Sequence, residues 1–226
     1  MCSRYSLTSP PEAVRATFGY RETPNFPARY NIAPTQGIGV VCLDAEGRRS
    51  FRLMRWGLLP SFVKDPKTFT TLINARAEGI ADKPAFRQAY AKRRCLVPAD
   101  GFYEWTGPKG ARRPFLLRPR KGGLIAFAGV WERWRDRARG EIDTVAIITC
   151  AANATVTPLH DRMPVALGSE HFEAWLDCEA TEVEAASQLL QPAPDDLFEA
   201  VEMNPKLNDS RHDEPGVQEP VQPRLL

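Results

Sequence analysis

Residues 95–105 read Cys95-Leu-Val-Pro-Ala-Asp-Gly-Phe-Tyr-Glu-Trp105. Two short apolar runs, Cys95–Pro98 and Gly101–Trp105, stand on either side of Ala99-Asp100. Their β-branched and aromatic content reads as two strands. Gly107-Pro-Lys-Gly110 makes the next turn, and Phe115–Arg118, Leu124–Trp131 and Thr144–Cys150 continue the run of strands. Upstream, Gly37–Leu43 and Arg49–Trp56 read as strands joined by a turn at Asp44-Ala-Glu-Gly47. Helical spacing is confined to Pro11–Phe18, Pro84–Arg94, Glu170–Leu176 and Thr181–Leu190, and Leu197–Val201 reads as a last strand. Many strands with few helices predict an α+β fold on a curved, mainly antiparallel, barrel-like sheet with peripheral helices. No linker divides the chain. We expect one domain over residues 1–207 and a loose, polar, proline-punctuated tail over 208–226.

With 226 residues, 43% hydrophobic and 26% charged, the composition excludes a disordered chain and a disulfide miniprotein. No stretch approaches the ~20 apolar residues that span a bilayer, so no membrane partner is expected. The net charge of +2 hides an asymmetry. Residues 1–169 carry 27 Lys and Arg against 14 Asp and Glu, whereas residues 170–226 carry 3 against 14. A basic body suits a nucleic-acid partner, and it suits a solvated surface equally well. The cysteines at 2, 42, 95, 150 and 178 include no CxxC pair, and three histidines form no zinc-type pattern with them. We therefore expect no metal, no cofactor, free thiols, and a monomer working in a reducing cytoplasm. Cys42, Cys95 and Cys150 lie in apolar runs and read as core residues.

Cys2 is the most informative position. Loss of Met1 would leave it with a free α-amine beside its thiol. That amine has an ordinary pKa near 8, far below the lysine value of about 10.4, so much of it is unprotonated at neutral pH. An amine and a thiol on adjacent carbons favour one reaction. The amine condenses with an aldehyde to an imine, and the sulfur closes onto the same carbon to give a five-membered thiazolidine. The plainer reading is a cysteine that happens to follow Met1.

Three other segments carry candidate chemistry. Leu72-Ile-Asn-Ala-Arg76 places Asn74 and Arg76 two apart, on one face if extended. Ala99-Asp-Gly-Phe-Tyr-Glu-Trp105 puts Glu104 between two aromatics, where apolar walls would raise its pKa toward proton shuttling. Pro158-Leu-His-Asp-Arg-Met-Pro164 holds His160 among turn residues after a strand. Alone, each has a bland alternative: a surface carboxylate, or a hydrogen-bonded structural histidine. His171 and His212 lie in acidic surroundings and are given no role.

Six pieces in order resemble one family, the SOS-response-associated peptidase (SRAP) domain. They are Met1-Cys-Ser-Arg4, Arg29-Tyr-Asn-Ile-Ala-Pro34, Arg55-Trp-Gly57, Ile73-Asn-Ala-Arg76, the segment around Glu104, and His160-Asp-Arg-Met-Pro164. The resemblance runs to about residue 205. It implies a protein that bonds covalently to abasic sites in single-stranded DNA, shields them, and removes its own initiator methionine. It implies Cys2 as the nucleophile through nitrogen and sulfur, and Asn74 as a hydrogen-bonding partner of the adduct. Glu104 would contact the amine and move protons, and His160 would protonate the sugar ring oxygen to open the aldehyde. Arg4, Arg76 and Arg162 would face phosphates, Trp105 and Phe62 would stack on bases, and Thr149 would add a contact near the lesion. Two departures stand out. Ser3 replaces the family's usual glycine, and Ser61-Phe-Val63 lacks an expected tryptophan. Two other readings remain open from the residues: a cysteine protease using Cys2 and His160, and a reversible single-stranded nucleic-acid binding module.

Overall fold

The structure is a computed structural model that describes residues 2–136 and 140–221. The first half of the chain forms β1 (Tyr5–Leu7), α1 (Pro11–Phe18), β2 (Arg29–Ile32), β3 (Gly37–Leu43), β4 (Arg49–Trp56), β5 (Asn74–Arg76) and α2 (Arg87–Lys92). The remainder forms β6 (Arg94–Ala99), β7 (Gly101–Thr106), β8 (Arg113–Pro119), β9 (Ile125–Asp136), β10 (Gly140–Ala151), β11 (Arg162–Pro164) and β12 (Ala166–Leu167). It ends with α3 (Phe172–Leu176), α4 (Val183–Gln188) and β13 (Phe198–Glu202). The α+β reading holds: the fold is mainly antiparallel sheet with few helices. No helix among the described residues is long and apolar enough to cross a membrane.

The strands fall into two sheets. In the larger, β3 pairs with β4 and β6, β6 with β9, and β9 with β10, all antiparallel. A parallel pairing of β10 with β4 then closes the circuit into a ring. The smaller sheet runs β13-β8-β7-β1-β2. The chain crosses from one sheet to the other at Asp100. Its carboxylate accepts from the Thr8 hydroxyl at 2.9 Å and from the Ser9 amide at 2.9 Å. A residue read from the sequence as a break between strands thus anchors the chain's start against the sheet junction.

The ring's core is apolar. Trp56 is fully buried, donates from Nε1 to the Ile73 carbonyl at 2.9 Å, and meets Tyr5 edge-on at 5.4 Å between centroids. Gly57 leaves β4 with φ +131°, and a Cβ there would lie 2.2 Å from Thr71 Cγ2, so the turn admits only glycine. Cys42, Cys95 and Cys150 are buried free thiols, as expected.

Two sequence expectations change. The helix expected over Pro84–Arg94 covers only Arg87–Lys92, because Arg94 belongs to β6. Its buried guanidinium donates to the carbonyls of Trp175, Asp177 and Thr181 at 2.7–2.8 Å, docking the end of α3 onto the ring. The tail expected to be loose from residue 208 is tied down as far as residue 221. Asp213 accepts from the amides of Tyr30 and Asn31 and pairs with Arg29 along β2. Val217 is fully buried, and Val221 donates to the Glu202 carbonyl at 3.0 Å. The polar composition hid one apolar anchor and one half-buried carboxylate. The last residues of that tail, 222–226, lie outside the described residues, as does Met1.

Candidate functional site

The residues singled out at the start of the chain meet beside β5 and β7. Cys2 is fully buried, and its thiol donates to the Arg4 carbonyl at 3.6 Å. Burial, and then the charge of Glu104, push that thiol well above its ordinary pKa. The Cys2 carbonyl accepts from Asn74 Nδ2 at 2.8 Å, so residues 72 apart in sequence are joined directly. Asn74 is placed there by β5 pairing in parallel with β10, Asn74 opposite Ile147 and Arg76 opposite Thr149. Asn74 Oδ1 is buried and has no hydrogen-bond partner among the described residues. It is an acceptor available to a ligand.

Glu104 is 3% exposed on β7, opposite Phe115 on β8. Burial pushes its carboxyl up to about 7. The positive amino terminus pulls the value down, and Asp161 pushes it up. The flanking aromatics matter less than the sequence implied. Along a strand, Tyr103 and Trp105 point away from the face that Glu104 uses. Indeed Tyr103 joins a separate cluster with Leu116, Met203, Leu207 and Val217. His160 follows β10, and burial and the amino-terminal charge lower its pKa. Its Nδ1 accepts from the Arg162 amide at 2.9 Å, which assigns the proton of the neutral ring to Nε2. Asp161 lies 2.9 Å from the same nitrogen and can pair with it once the ring is charged. Asn74 bonds the Cys2 backbone and the Glu104 charge acts on the Cys2 thiol, which ties these three residues to one place.

The candidate binding residues divide. Arg76 is exposed at the end of β5. Phe62 is 60% exposed on the loop after β4, whose neighbour Val63 is fixed by a 2.7 Å bond from Trp134 Nε1 to its carbonyl. Arg4 lies 5.8 Å over Trp105 and donates to Asn31 Oδ1 at 2.7 Å, while Trp105 Nε1 donates to Asn208 at 2.7 Å. These two line a groove of about 370 Å³ with Ser3, Lys109 and Arg112. Thr149 is fully buried and offers no surface to a ligand. Its carbonyl instead receives Arg162. Arg162 is also bidentate to Glu78, at 2.7 and 2.8 Å. Sequence reasoning missed Glu78, Lys109 and Arg112. Glu78 lies in the turn just after β5, where no strand period marks it. Among the described residues, no group of His, Cys, Asp and Glu could hold a metal ion.

Comparison with known proteins identifies the family and the fold. The family model for the SOS response associated peptidase (SRAP) matches residues 1–210. The abasic site processing protein YoqW of Bacillus subtilis (strain 168) is 35% identical over 220 residues, covering 95% of this chain and 97% of that protein. The abasic site processing protein HMCES of Gallus gallus is 32% identical over 225 residues, covering 85% of this chain and 66% of that one. A crystal structure of a Bacteroides thetaiotaomicron protein shares the fold at TM-score 0.86 and 24% identity, covering 98% of this chain and 100% of that one. A Bordetella bronchiseptica protein matches at TM-score 0.78 and 26% identity, over 90% of this chain and 100% of its own. With a family model spanning most of its length and full-length relatives above 30% identity, the chain belongs to the SOS response associated peptidase (SRAP) family.

Proposed function

We propose that this protein processes abasic sites in single-stranded DNA by covalent capture at Cys2. The observation that carries the reading is a buried thiol at Cys2 with Asn74 bonded to its backbone and the buried Glu104 carboxyl acting on it. The curated relatives bear the name abasic site processing protein, which fits the same chemistry.

The steps balance as follows. Hydrolysis of the Met1–Cys2 peptide bond consumes one water and frees the α-amine. The amine adds to the aldehyde of the ring-opened sugar, and loss of water gives an imine. The thiol then adds across the C=N bond, sulfur to carbon and proton to nitrogen, closing the thiazolidine. A carboxyl with a pKa of about 7 is half protonated at neutral pH, so Glu104 can take the amine's proton and return one to the departing hydroxyl. Asn74 holds the Cys2 backbone in place and offers its Oδ1 to the adduct. His160, neutral at pH 7, presents Nε2–H as a donor during ring opening. A thiol protease is disfavoured, because the burial that keeps Cys2 protonated opposes thiolate attack on a peptide.

The test places one residue before Cys2 that cannot be removed. Capture requires the free amine, so the denaturation-resistant DNA complex disappears while reversible binding persists. A complex of undiminished yield in that variant would falsify the mechanism.

A further inference from the structure

Arg162 and Glu78 form a contact that the chemistry above does not use. The guanidinium meets the carboxylate end-on, Nη1 on Oε1 at 2.7 Å and Nη2 on Oε2 at 2.8 Å. Nη2 also donates to the Thr149 carbonyl at 2.5 Å. The remaining nitrogen, Nε, is buried with no hydrogen-bond partner among the described residues. Both edges of the fork are therefore closed to solvent or occupied. In this state Arg162 has no bidentate edge left for a phosphate.

The two partners differ in exposure. The Arg162 side chain is 13% exposed and that of Glu78 is 60% exposed. The arginine is the enclosed partner and the carboxylate is the one facing solvent. Arg76 also acts on Glu78, so the carboxylate sits under the influence of two arginines, as a backbone phosphate would. The bond to Arg162 holds the Glu78 carboxyl below its ordinary pKa, which keeps it an anion.

Resting on the single-stranded DNA reading, we infer that the Glu78 carboxylate occupies a phosphate seat on Arg162 and is displaced when a strand binds. The exchange is one anion for another on the same fork. A largely exposed, screened carboxylate leaves at small cost. Glu78 thereby sets the affinity: an incoming strand must present a phosphodiester at this point to open the half-buried Arg162. The main-chain amide of the same Arg162 holds His160 Nδ1, so the seat adjoins the chemistry directly.

The experiment measures binding to a single-stranded oligonucleotide whose abasic sugar has been reduced to the alcohol, which removes covalent capture. Removing the internal competitor in Glu78→Gln should tighten binding on the order of three- to fivefold at low salt. It should also steepen the dependence of log K on log salt by up to ~0.7, because the displaced wild-type carboxylate takes up a cation that offsets one released from the strand. The gain should vanish in an Arg162→Gln background. Glu78→Asp keeps the charge but is one methylene too short to hold both bonds, and it should tighten binding as well. Should Glu78→Gln bind no tighter, or should its gain persist without Arg162, the inference is overturned. A gain in Glu78→Gln with none in Glu78→Asp means through-space repulsion only, and also overturns it. Adduct formation by the wild type on the unreduced oligonucleotide is measured in parallel. Its absence sinks the DNA reading itself, whereas adduct formation with an unresponsive Glu78 sinks this inference alone.

Discussion

Replacing Glu104 by glutamine should stabilise the fold and slow the chemistry, and the two effects should have opposite pH signatures. Burial raises the Glu104 carboxyl from 4.5 to about 7. At ~1.4 kcal/mol per pKa unit, the charged form costs the native state on the order of 3 kcal/mol. The sign follows from proton counting. Between pH 4.5 and 7 the native state holds a proton that the unfolded state has released, so stability falls as pH rises through that window. Above it the full cost is present. Glu104→Gln removes the charge and should be more stable than wild type by ~3 kcal/mol at pH 8, with little difference at pH 4. Urea denaturation at the two pH values reads this directly. In the same variant, capture of abasic oligonucleotide should be slowed and should lose its titration near pH 7. An equal stability difference at both pH values would refute the buried-carboxyl argument.

Other perturbations follow from single contacts. Asn74→Ala removes the 2.8 Å bond to the Cys2 carbonyl, worth ~1 kcal/mol, and should slow adduct formation about fivefold with little change in reversible affinity, measured by quenched time courses. His160→Ala should slow capture and leave binding intact, and unchanged time courses would remove it from the chemistry. Ending the chain after Asn208 deletes the Asp213 bonds to β2 and the buried Val217, which should cost several kcal/mol and lower the melting temperature. A melt identical to that of the full chain would restore the loose-tail reading.

The long strands were legible because their periodicity is local. β3 and β4 fall at Gly37–Leu43 and Arg49–Trp56, and α1 at Pro11–Phe18, as read from the residues. β1, β11 and β12 were not legible, because two or three residues carry no period. They are strands only because β2, β7, β9 and β10 supply partners. Nor does the sequence show that β10 closes the ring, since that parallel pairing joins Thr144 to Arg55 across the fold. At the site, residue types were readable and their environments were not. The raised pKa of Glu104 was anticipated from its aromatic neighbours, yet it comes from burial on the other face of the strand. Thr149 and Arg162 read as surface contacts from their motifs. Packing makes the first a buried support and gives the second an internal anion.

Capture at Cys2 requires an amino-terminal aminothiol to react with a carbonyl carbon. Intact mass spectrometry of the protein, before and after incubation with an abasic single-stranded oligonucleotide, reads that reaction most directly. Loss of the Met1 mass, followed by a gain equal to the oligonucleotide less one water, is the expected result. A protein that reacts while still carrying Met1, or that gains the same adduct with the borohydride-reduced sugar, contradicts it.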